Sequence, residues 1–357
     1  MAGKRTDLPE FPAKPRFLAI QTGVVGDVLA VTPALRALRS AFPDAEITAL
    51  VRPGPGMALV GAPAIKRLLP LTDEHRRGVF SAMGLASWVR GRRFDAAFAF
   101  HPSFRSALIP FLGAVPVRVG LTGEGARRGF LLTHKAPYDR SMDDVEKHLA
   151  LAGLVGIEPR GNELEIFLTD GERAAAASLL EGISGRPLVA IVPGADDRAG
   201  RWCPERFAEL GERLRDEGTA AVVHVVGAAE TELAGRIRLW HEREGTVPVA
   251  VVEPDTVRVL AAVVEAADLT VATGGSSRLI ASAVGTGGVF LDAAPSDERA
   301  CHRTTGQART HAVRTGQGGN TEPTGGAGVQ PQLDVLSVES VLAAVAEGLR
   351  RSQGGRE

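Results

Sequence analysis

Short apolar runs alternate with amphipathic segments along the first half of the chain, a pattern that predicts parallel strands joined by helices. The apolar runs predict strands at 16–21, 47–51, 96–100 and 117–120. The segments between them predict helices at 28–42, 78–90, 104–112 and 143–154. Together these elements predict one doubly wound α/β domain.

The same alternation starts again in the second half of the chain. Here the predicted strands are 188–192, 221–226, 249–252, 269–272 and 288–291. The predicted helices between them are 204–215, 230–240, 257–266 and 277–284. Because the pattern restarts, and because 357 residues exceed what one hydrophobic core usually supports, we predict two domains.

Gly and Pro residues that interrupt helices and strands indicate where these domains begin and end. A short helix at 171–180 is followed by Gly182, Gly185 and Pro187, which suit an interdomain connection. We therefore predict domains at 14–170 and 185–350. Segment 304–331 is rich in Gly, Thr, Gln and Pro and predicts a long flexible loop. A final helix at 338–350 resumes an apolar stripe and should pack on the second domain.

Composition excludes several classes of protein. A formal net charge of -1 argues against a nucleic-acid partner. The two cysteines, Cys203 and Cys301, lie far apart in the sequence and outside any metal-ligand spacing, so we expect neither a disulfide framework nor a metal site. No apolar run has the length of a signal peptide or a membrane span, which predicts a cytoplasmic protein with at most peripheral membrane contact.

The first candidate for chemistry follows the first predicted strand. Gly26 and Asp27 stand where a helix begins, so the Asp27 carboxylate would lie near the positive end of the helix dipole. That position favours the ionised form, which can accept a proton from a bound hydroxyl. The alternative is an ordinary helix cap, because Asp is a preferred capping residue.

The loop after the strand at 188–192 is the second candidate. It combines a tight turn at Gly194 with Arg198 and Arg201, ahead of a helix that starts near Pro204. Two guanidinium groups beside a helix N-terminus can hold phosphate oxygens. The alternative is a solvated loop with Trp202 packed beneath it.

Two further loops follow strands of the second domain. Glu230, after the strand at 221–226, is a candidate acceptor for ribose hydroxyls or simply an acid in the first turn of a helix. After the strand at 269–272, the predicted phosphate cradle consists of Gly274, Gly275, Ser276 and Ser277. A plain tight turn between strand and helix is the alternative for these four residues.

Taken together, these segments resemble glycosyltransferase family 9, the heptosyltransferases of lipopolysaccharide core assembly and their relatives. The residues that carry the resemblance include Gly26-Asp27, Pro193-Gly194-Ala195, Arg201-Trp202 and Gly227-Ala-Ala-Glu230. It also covers Ala266-Ala-Asp-Leu-Thr-Val and Ala281-Ser-Ala-Val-Gly-Thr. The similarity therefore extends from about residue 16 to residue 291.

This resemblance implies a GT-B architecture, two Rossmann-like doubly wound domains that face each other across a cleft. It implies an inverting, metal-independent glycosyltransferase without a cofactor, in which Asp27 accepts the proton of the acceptor hydroxyl. The implied partners are a nucleoside-diphosphate-sugar on the C-terminal side and a glycan or glycolipid acceptor on the N-terminal side. The implied process is the synthesis of lipopolysaccharide or another cell-envelope glycan.

The sequence departs from the family at two places on the donor side. Gly200 stands where the family carries a phosphate-binding Lys, and Gly274-Gly-Ser-Ser-Arg-Leu279 replaces a run that contains an Asp and a His. Because of these departures, the resemblance does not identify the nucleotide or the sugar of the donor. They also keep two other functions open, a GT-B-like binding protein with a decayed donor site and a nucleotide-sugar epimerase.

Overall fold

The computed structural model describes residues 8–72, 79–122, 129–139, 142–196, 201–247, 249–292, 310–314, 333 and 336–353. The chain divides into two compact units, Met1–Phe167 and Leu168–Glu357. Within the described residues, no helix is both long enough and apolar enough to cross a membrane.

The first unit is built on a parallel sheet. Its strands are β1 (Arg16–Gln21), β2 (Glu46–Val51), β3 (Arg67–Pro70), β4 (Ala96–Ala99), β5 (Val117–Thr122) and β6 (His134–Pro137). They are arranged in the order β3-β2-β1-β4-β5-β6. This is the order of a Rossmann fold, whose direction reverses between β1 and β4. The sequence predicted the central strands but missed β3 and β6, two short edge strands with few fully buried positions.

The helices of the first unit cover this sheet. They are α1 (Val25–Ala30), α2 (Thr32–Ala41), α3 (Pro53–Gly56), α4 (Val79–Arg92), α5 (Phe104–Leu112) and α6 (Asp144–Gly153). Side chains from β1, β2 and β4 pack against α4 and α5, so that Leu18, Ile20 and Leu50 are fully buried. Burial of this kind is the main stabilising contribution to such a sheet.

The single helix that the sequence predicted at 28–42 is two helices. The break falls at Val31, between α1 and α2, because Pro33 has no N–H to donate to the carbonyl of Leu29. The hydroxyl of Thr32 donates to that carbonyl instead, at 2.8 Å. The prediction of one continuous helix was therefore wrong, and α1 is a separate short helix.

The second unit repeats the architecture. Its strands are β7 (Leu188–Val192), β8 (Ala221–Val225), β9 (Ala250–Val252), β10 (Leu269–Thr273), β11 (Gly288–Asp292) and β12 (Thr310–Arg314), in the order β12-β11-β10-β7-β8-β9. Its helices are α7 (Asp170–Leu179), α8 (Pro204–Asp216), α9 (Thr231–Glu244), α10 (Val257–Ala266), α11 (Ser276–Val284) and α12 (Val338–Gln353). In this sheet the strand order reverses its direction between β7 and β10.

Part of the predicted loop at 304–331 is a strand. Residues Thr310–Arg314 pair in parallel with β11 and form the edge of the sheet. The alternating character of five residues is too short a signal to stand out from the surrounding Gly-rich composition, so the prediction was wrong for this stretch. The rest of 304–331 lies outside the described residues.

Helix α7, predicted as part of an interdomain connection, packs on α10 of the second unit. Glu172 forms an ion pair with Arg258, whose side chain is only 1% exposed. The Arg258 guanidinium lowers the pKa of the Glu172 carboxyl to about 2. Arg173 adds a second, more exposed pair with Glu265, at 2.7 Å. These contacts explain why the chain divides at Phe167 and Leu168, before α7.

A buried imidazole in β8 makes the stability of the second unit depend on pH. His224 is fully buried, and neither ring nitrogen has a hydrogen-bond partner in the described part of the chain. Burial, with a smaller effect of His241, lowers the pKa of His224 from 6.5 to about 3. The folded protein therefore keeps His224 neutral where the unfolded chain would protonate it.

We expect His224→Leu to reduce the loss of stability on acidification. Above about pH 6.5 the imidazole is neutral in both states, and as the pH falls toward 3 only the unfolded chain gains the proton. Between about pH 7.5 and about pH 5 the wild type should lose on the order of 2 kcal/mol more than the variant. Urea titrations followed by tryptophan fluorescence measure this difference.

Thr270→Val is the matched control, since it also replaces a fully buried polar side chain that has no hydrogen-bond partner among the described residues, on β10 of the same sheet. A valine there carries no titratable group, so its effect should be equal at both pH values. If His224→Leu and the wild type lose the same free energy on acidification, the imidazole is not held neutral by burial.

Candidate functional site

Both sheets place their candidate residues beside the point where strand order reverses. In open α/β sheets, ligands bind beyond the carboxyl ends of the strands at this point. In the first unit the loop after β1 occupies this position, and in the second unit the loops after β7 and β10 do.

In the first unit, Asp27 lies in the first turn of α1. Its Oδ2 accepts a hydrogen bond from the backbone N–H of Val24, at 3.0 Å. Val24 is the N-cap residue and Asp27 lies three positions later, so Asp27 caps α1 from the third helical position rather than as the N-cap residue itself. The carboxylate is half-buried, and its orientation is fixed by the backbone of its own helix. Gly26, also predicted, is buried in the same turn.

Gly23 lies against the Asp27 side chain, a contact that the sequence alone did not predict. A Cβ atom at Gly23 would overlap the carboxylate of Asp27, so only glycine leaves the space that this acid occupies. The N–H of Gly23 donates to the Gln21 side chain, at 3.0 Å, and that amide is itself buried. The signal in the sequence was a glycine four residues before an acid, which is too common to be noticed without coordinates.

His148 on α6, which the sequence suggested either for an acceptor cleft or for a structural role, supports the opposite end of α1. Its ring is buried, hydrogen-bonds to the backbone of Ala30 and contacts Phe100 edge-to-face at 5.3 Å. Burial lowers the pKa of His148 to about 4, so the imidazole is neutral at pH 7. A neutral ring can pack in the core while it satisfies a helix-end carbonyl.

In the second unit, the loops after β7 and β10 are joined by a carboxylate. Asp196 accepts from the backbone N–H of Ser276 at 2.8 Å and from its hydroxyl at 2.8 Å. Ser276 is the first residue of α11, so Asp196 occupies the anion-binding end of a nine-residue helix. Ser276 was predicted for this place from the sequence, whereas the carboxylate that the chain itself supplies was not.

The glycines of this loop differ in what they do. Gly275 has φ of 81°, a left-handed conformation, and a Cβ there would press on the Asp196 carboxylate. The N–H of Gly274 donates to the carbonyl of Leu291, at 3.1 Å, and so belongs to the sheet rather than to a cradle. Ser277 lies in the first turn of α11 and is half-buried.

The predicted phosphate and ribose groups of the loops after β7 and β8 contact each other. Arg201 and Glu230 form an ion pair in which both side chains are mostly buried. The Nε of Arg201 is buried without a hydrogen-bond partner among the described residues. Gly194 makes this pair possible, because a Cβ there would overlap the carboxylate of Glu230. Arg198, the other predicted phosphate ligand, lies outside the described residues.

These groups surround a cavity of about 480 Å³ in the second unit. Its lining includes Asp196, Arg201, Glu230, Glu232 and Arg236. The volume falls in the range of small-molecule sites. Within the described ranges, no group of three or more His, Cys, Asp or Glu side chains is arranged to hold a metal ion.

Trp202 anchors the cavity wall. The indole is fully buried, contacts Phe207 edge-to-face at 4.9 Å and donates to the carbonyl of Leu336 at 3.1 Å. Trp202 therefore packs beneath this loop, as the alternative interpretation of the loop predicted. Because Arg201 stands beside Trp202, the same packing also holds the Arg201–Glu230 pair at the cavity.

The solved structures that resemble the chain define its class. The glycosyltransferase family 9 protein of Veillonella parvula DSM 2008 aligns with a TM-score of 0.78 at 20% identity, over 97% of this chain and 100% of that chain. The ADP-heptose lps heptosyltransferase II of E. coli aligns with a TM-score of 0.74 at 22% identity, over 95% and 99%. The fold is therefore GT-B, as the sequence predicted.

The family follows from the sequence comparison. The chain belongs to glycosyltransferase family 9 (heptosyltransferase), whose model matches residues 83–291. Lipopolysaccharide heptosyltransferase 2 of Escherichia coli (strain K12) is 29% identical to it over 231 residues. That alignment covers 62% of this chain and 65% of the relative, a little under two thirds of its length.

We expect Gly194→Ala to destabilise the second unit by displacing Glu230 from Arg201. Overpacking of this kind usually costs about 1–3 kcal/mol. The measurement is the urea midpoint of the purified protein. Gly227→Ala is the matched control, because a Cβ there meets no atom within 4 Å. If both variants lose the same stability, the contact between Gly194 and Glu230 has no energetic role.

Proposed function

We propose that the protein is an inverting glycosyltransferase that moves a sugar from a nucleoside-diphosphate-sugar to a glycan or glycolipid hydroxyl. The observation that carries the proposal is the Asp27 carboxylate, held by the Val24 N–H in a space that Gly23 leaves free. Membership of glycosyltransferase family 9 supports it.

In the proposed reaction Asp27 is the general base. The acceptor hydroxyl gives its proton to the carboxylate while its oxygen bonds to the anomeric carbon of the donor. The bond from that carbon to the diphosphate oxygen breaks at the same time, and the diphosphate leaves with the electron pair. Attack from the face opposite the leaving group inverts the anomeric configuration. A base positioned within hydrogen-bond reach contributes roughly 10²–10⁴-fold to such a step.

We place the donor in the cavity of the second unit. The N-terminus of α11 and the Arg201 guanidinium are the groups suited to the diphosphate oxygens. Both are occupied by carboxylates of the chain itself, Asp196 and Glu230. A diphosphate would have to exchange with at least one of them, so donor binding competes with internal contacts. The proposed transfer uses neither a metal ion nor a cofactor.

The names of relatives suggest the biological context. The curated relative is a lipopolysaccharide heptosyltransferase, and the E. coli structure is that of an ADP-heptose enzyme. We propose a cytoplasmic role in the synthesis of lipopolysaccharide or a related envelope glycan. The replaced donor residues at 200 and 274–279 leave the nucleotide and sugar to experiment.

A second candidate function is a GT-B protein that binds an acceptor but no nucleotide. The observation that favours it is the occupation of both phosphate-binding groups by Asp196 and Glu230. It differs from the first candidate in a measurable way, because it predicts that nucleotides do not stabilise the protein.

Asp27→Asn should lower the transfer rate by roughly 10²–10⁴-fold, because the amide cannot accept the proton. The same loss is expected of Gly23→Ala, which displaces the carboxylate. Nucleotide affinity should stay unchanged in both. The assay is sugar transfer from the donor that binds best, and Gly84→Ala, where an added Cβ meets no atom within 4 Å, is the control. Wild-type turnover by Asp27→Asn would exclude the assigned role.

ADP, UDP, GDP, CDP or dTDP should stabilise the protein if the cavity binds the donor. A ligand at 100 times its dissociation constant adds about 2.7 kcal/mol, which a thermal-shift panel without metal detects. Asp196→Asn should bind the same nucleotide more tightly, because it removes a negative charge that competes for α11. The absence of any shift, in wild type and variant alike, would favour the second candidate function.

A further inference from the structure

Helix α5 in the first unit has an apolar face that points to solvent. One side of the helix, with Ser106, Ala107, Ile109 and Pro110, is buried against the unit. The opposite side carries exposed apolar residues at the spacing i, i+7 and i+8, namely Phe104, Phe111 and Leu112, while Leu108 between them is half-buried against Leu131 and Leu132. A surface helix normally places polar residues there. Packing within the unit therefore does not explain the exposure of Phe104, Phe111 and Leu112.

A neighbouring turn extends this stripe into a continuous surface. Phe130, in the 3₁₀ turn Gly129–Leu131, has 69% of its surface exposed and contacts Phe111 edge-to-face at 6.4 Å. Phe104 is 51% exposed. We name the surface of Phe104, Phe111, Leu112 and Phe130 the aromatic face. Three exposed phenylalanines so close together mark an interaction site rather than scattered surface apolar residues.

Two cationic side chains lie at the border of the aromatic face in the described part of the chain. The Arg118 guanidinium lies 5.5 Å from the centre of the Phe111 ring, and the Lys135 ammonium lies beside the turn at Gly129. Arg105 follows Phe104 in α5. Between residues 104 and 137, the described part of the chain contains no Asp or Glu. The partner that complements this surface is apolar with negative charges at its border.

We propose that the aromatic face binds the surface of an anionic lipid bilayer. Aromatic rings sit at the boundary between headgroups and acyl chains, and Lys and Arg nearby attract anionic lipids. A nine-residue helix is too short to span a bilayer, so the contact lies in the plane of the membrane surface. This inference goes beyond the proposed function and does not depend on the donor chemistry.

The position of the aromatic face links it to the acceptor side. Helix α5 begins directly after β4, so Phe104 lies at the carboxyl edge of the sheet, the same edge at which α1 carries Asp27. A bilayer bound at Phe104 would hold a lipid-borne hydroxyl on the side of the first unit where the proposed base lies. The surface would then raise the local concentration of a glycolipid acceptor.

The test is flotation of the full-length protein with vesicles of phosphatidylcholine, with or without about one third phosphatidylglycerol. We expect binding to the anionic vesicles, reduced at high salt. The double variant Phe104→Ser/Phe130→Ser should lose at least tenfold in partition. Leu239→Ser, which replaces a 42% exposed leucine on α9 of the second unit, should bind as the wild type does.

Lys135→Glu separates the two contributions. It should weaken binding to anionic vesicles and leave the weaker binding to neutral ones unchanged. No wild-type binding to anionic vesicles, or equal binding by the double variant, would overturn the proposal. So would a concentration-dependent dimer in light scattering that the double variant abolishes, because a second copy of the chain would then cover the aromatic face. Melting temperatures close to that of the wild type confirm that the variants are folded.

Discussion

The interaction on which both candidate sites depend is a carboxylate bound to backbone N–H groups at a helix N-terminus. The first N–H groups of a helix have no partner within it, so an acceptor must come from elsewhere. Asp27 supplies that acceptor at α1 and Asp196 supplies it at α11. Because the two sheets share one strand order, both helices begin at the carboxyl edge, beside the reversal of direction. The topology thus determines where the acids lie before any ligand is considered.

The same interaction has different consequences in the two units. Asp27 belongs to the helix that it caps, three residues from Val24, so its carboxylate cannot leave without fraying α1. In the proposed reaction the same carboxylate accepts the proton of the acceptor hydroxyl. Asp196 reaches α11 from a loop 80 residues earlier in the chain and is exposed to solvent. Because Asp196 is not part of α11, its side chain can rotate away without unwinding that helix. The first contact is suited to catalysis and the second to exchange with an anion.

The parts of the fold that the sequence predicted are those with a strong apolar period. β1, β7 and α10 appeared within a residue or two of their observed limits because each is apolar along most of its length. β12 was missed because its five residues have too little pattern. For the candidate site, the sequence predicted which residues follow the strands but not which of their side chains contact each other. Asp27 and Glu230 were named from their places after strands, whereas the space left by Gly23 and Gly194 depends on side chains meeting in three dimensions.

The departures of the donor loop from the family pattern have a physical interpretation in these contacts. Gly274 and Gly275 stand where the family run begins with an acid, and without one the N-terminus of α11 would lack an acceptor from its own segment. Asp196 now provides the carboxylate from the loop after β7, and the left-handed Gly275 leaves room for it. The carboxylate at the N-terminus of α11 thus comes from the loop after β7 and not from α11 itself. Segment 274–279 taken alone does not include this carboxylate, because Asp196 lies in the loop after β7, 80 residues earlier in the chain.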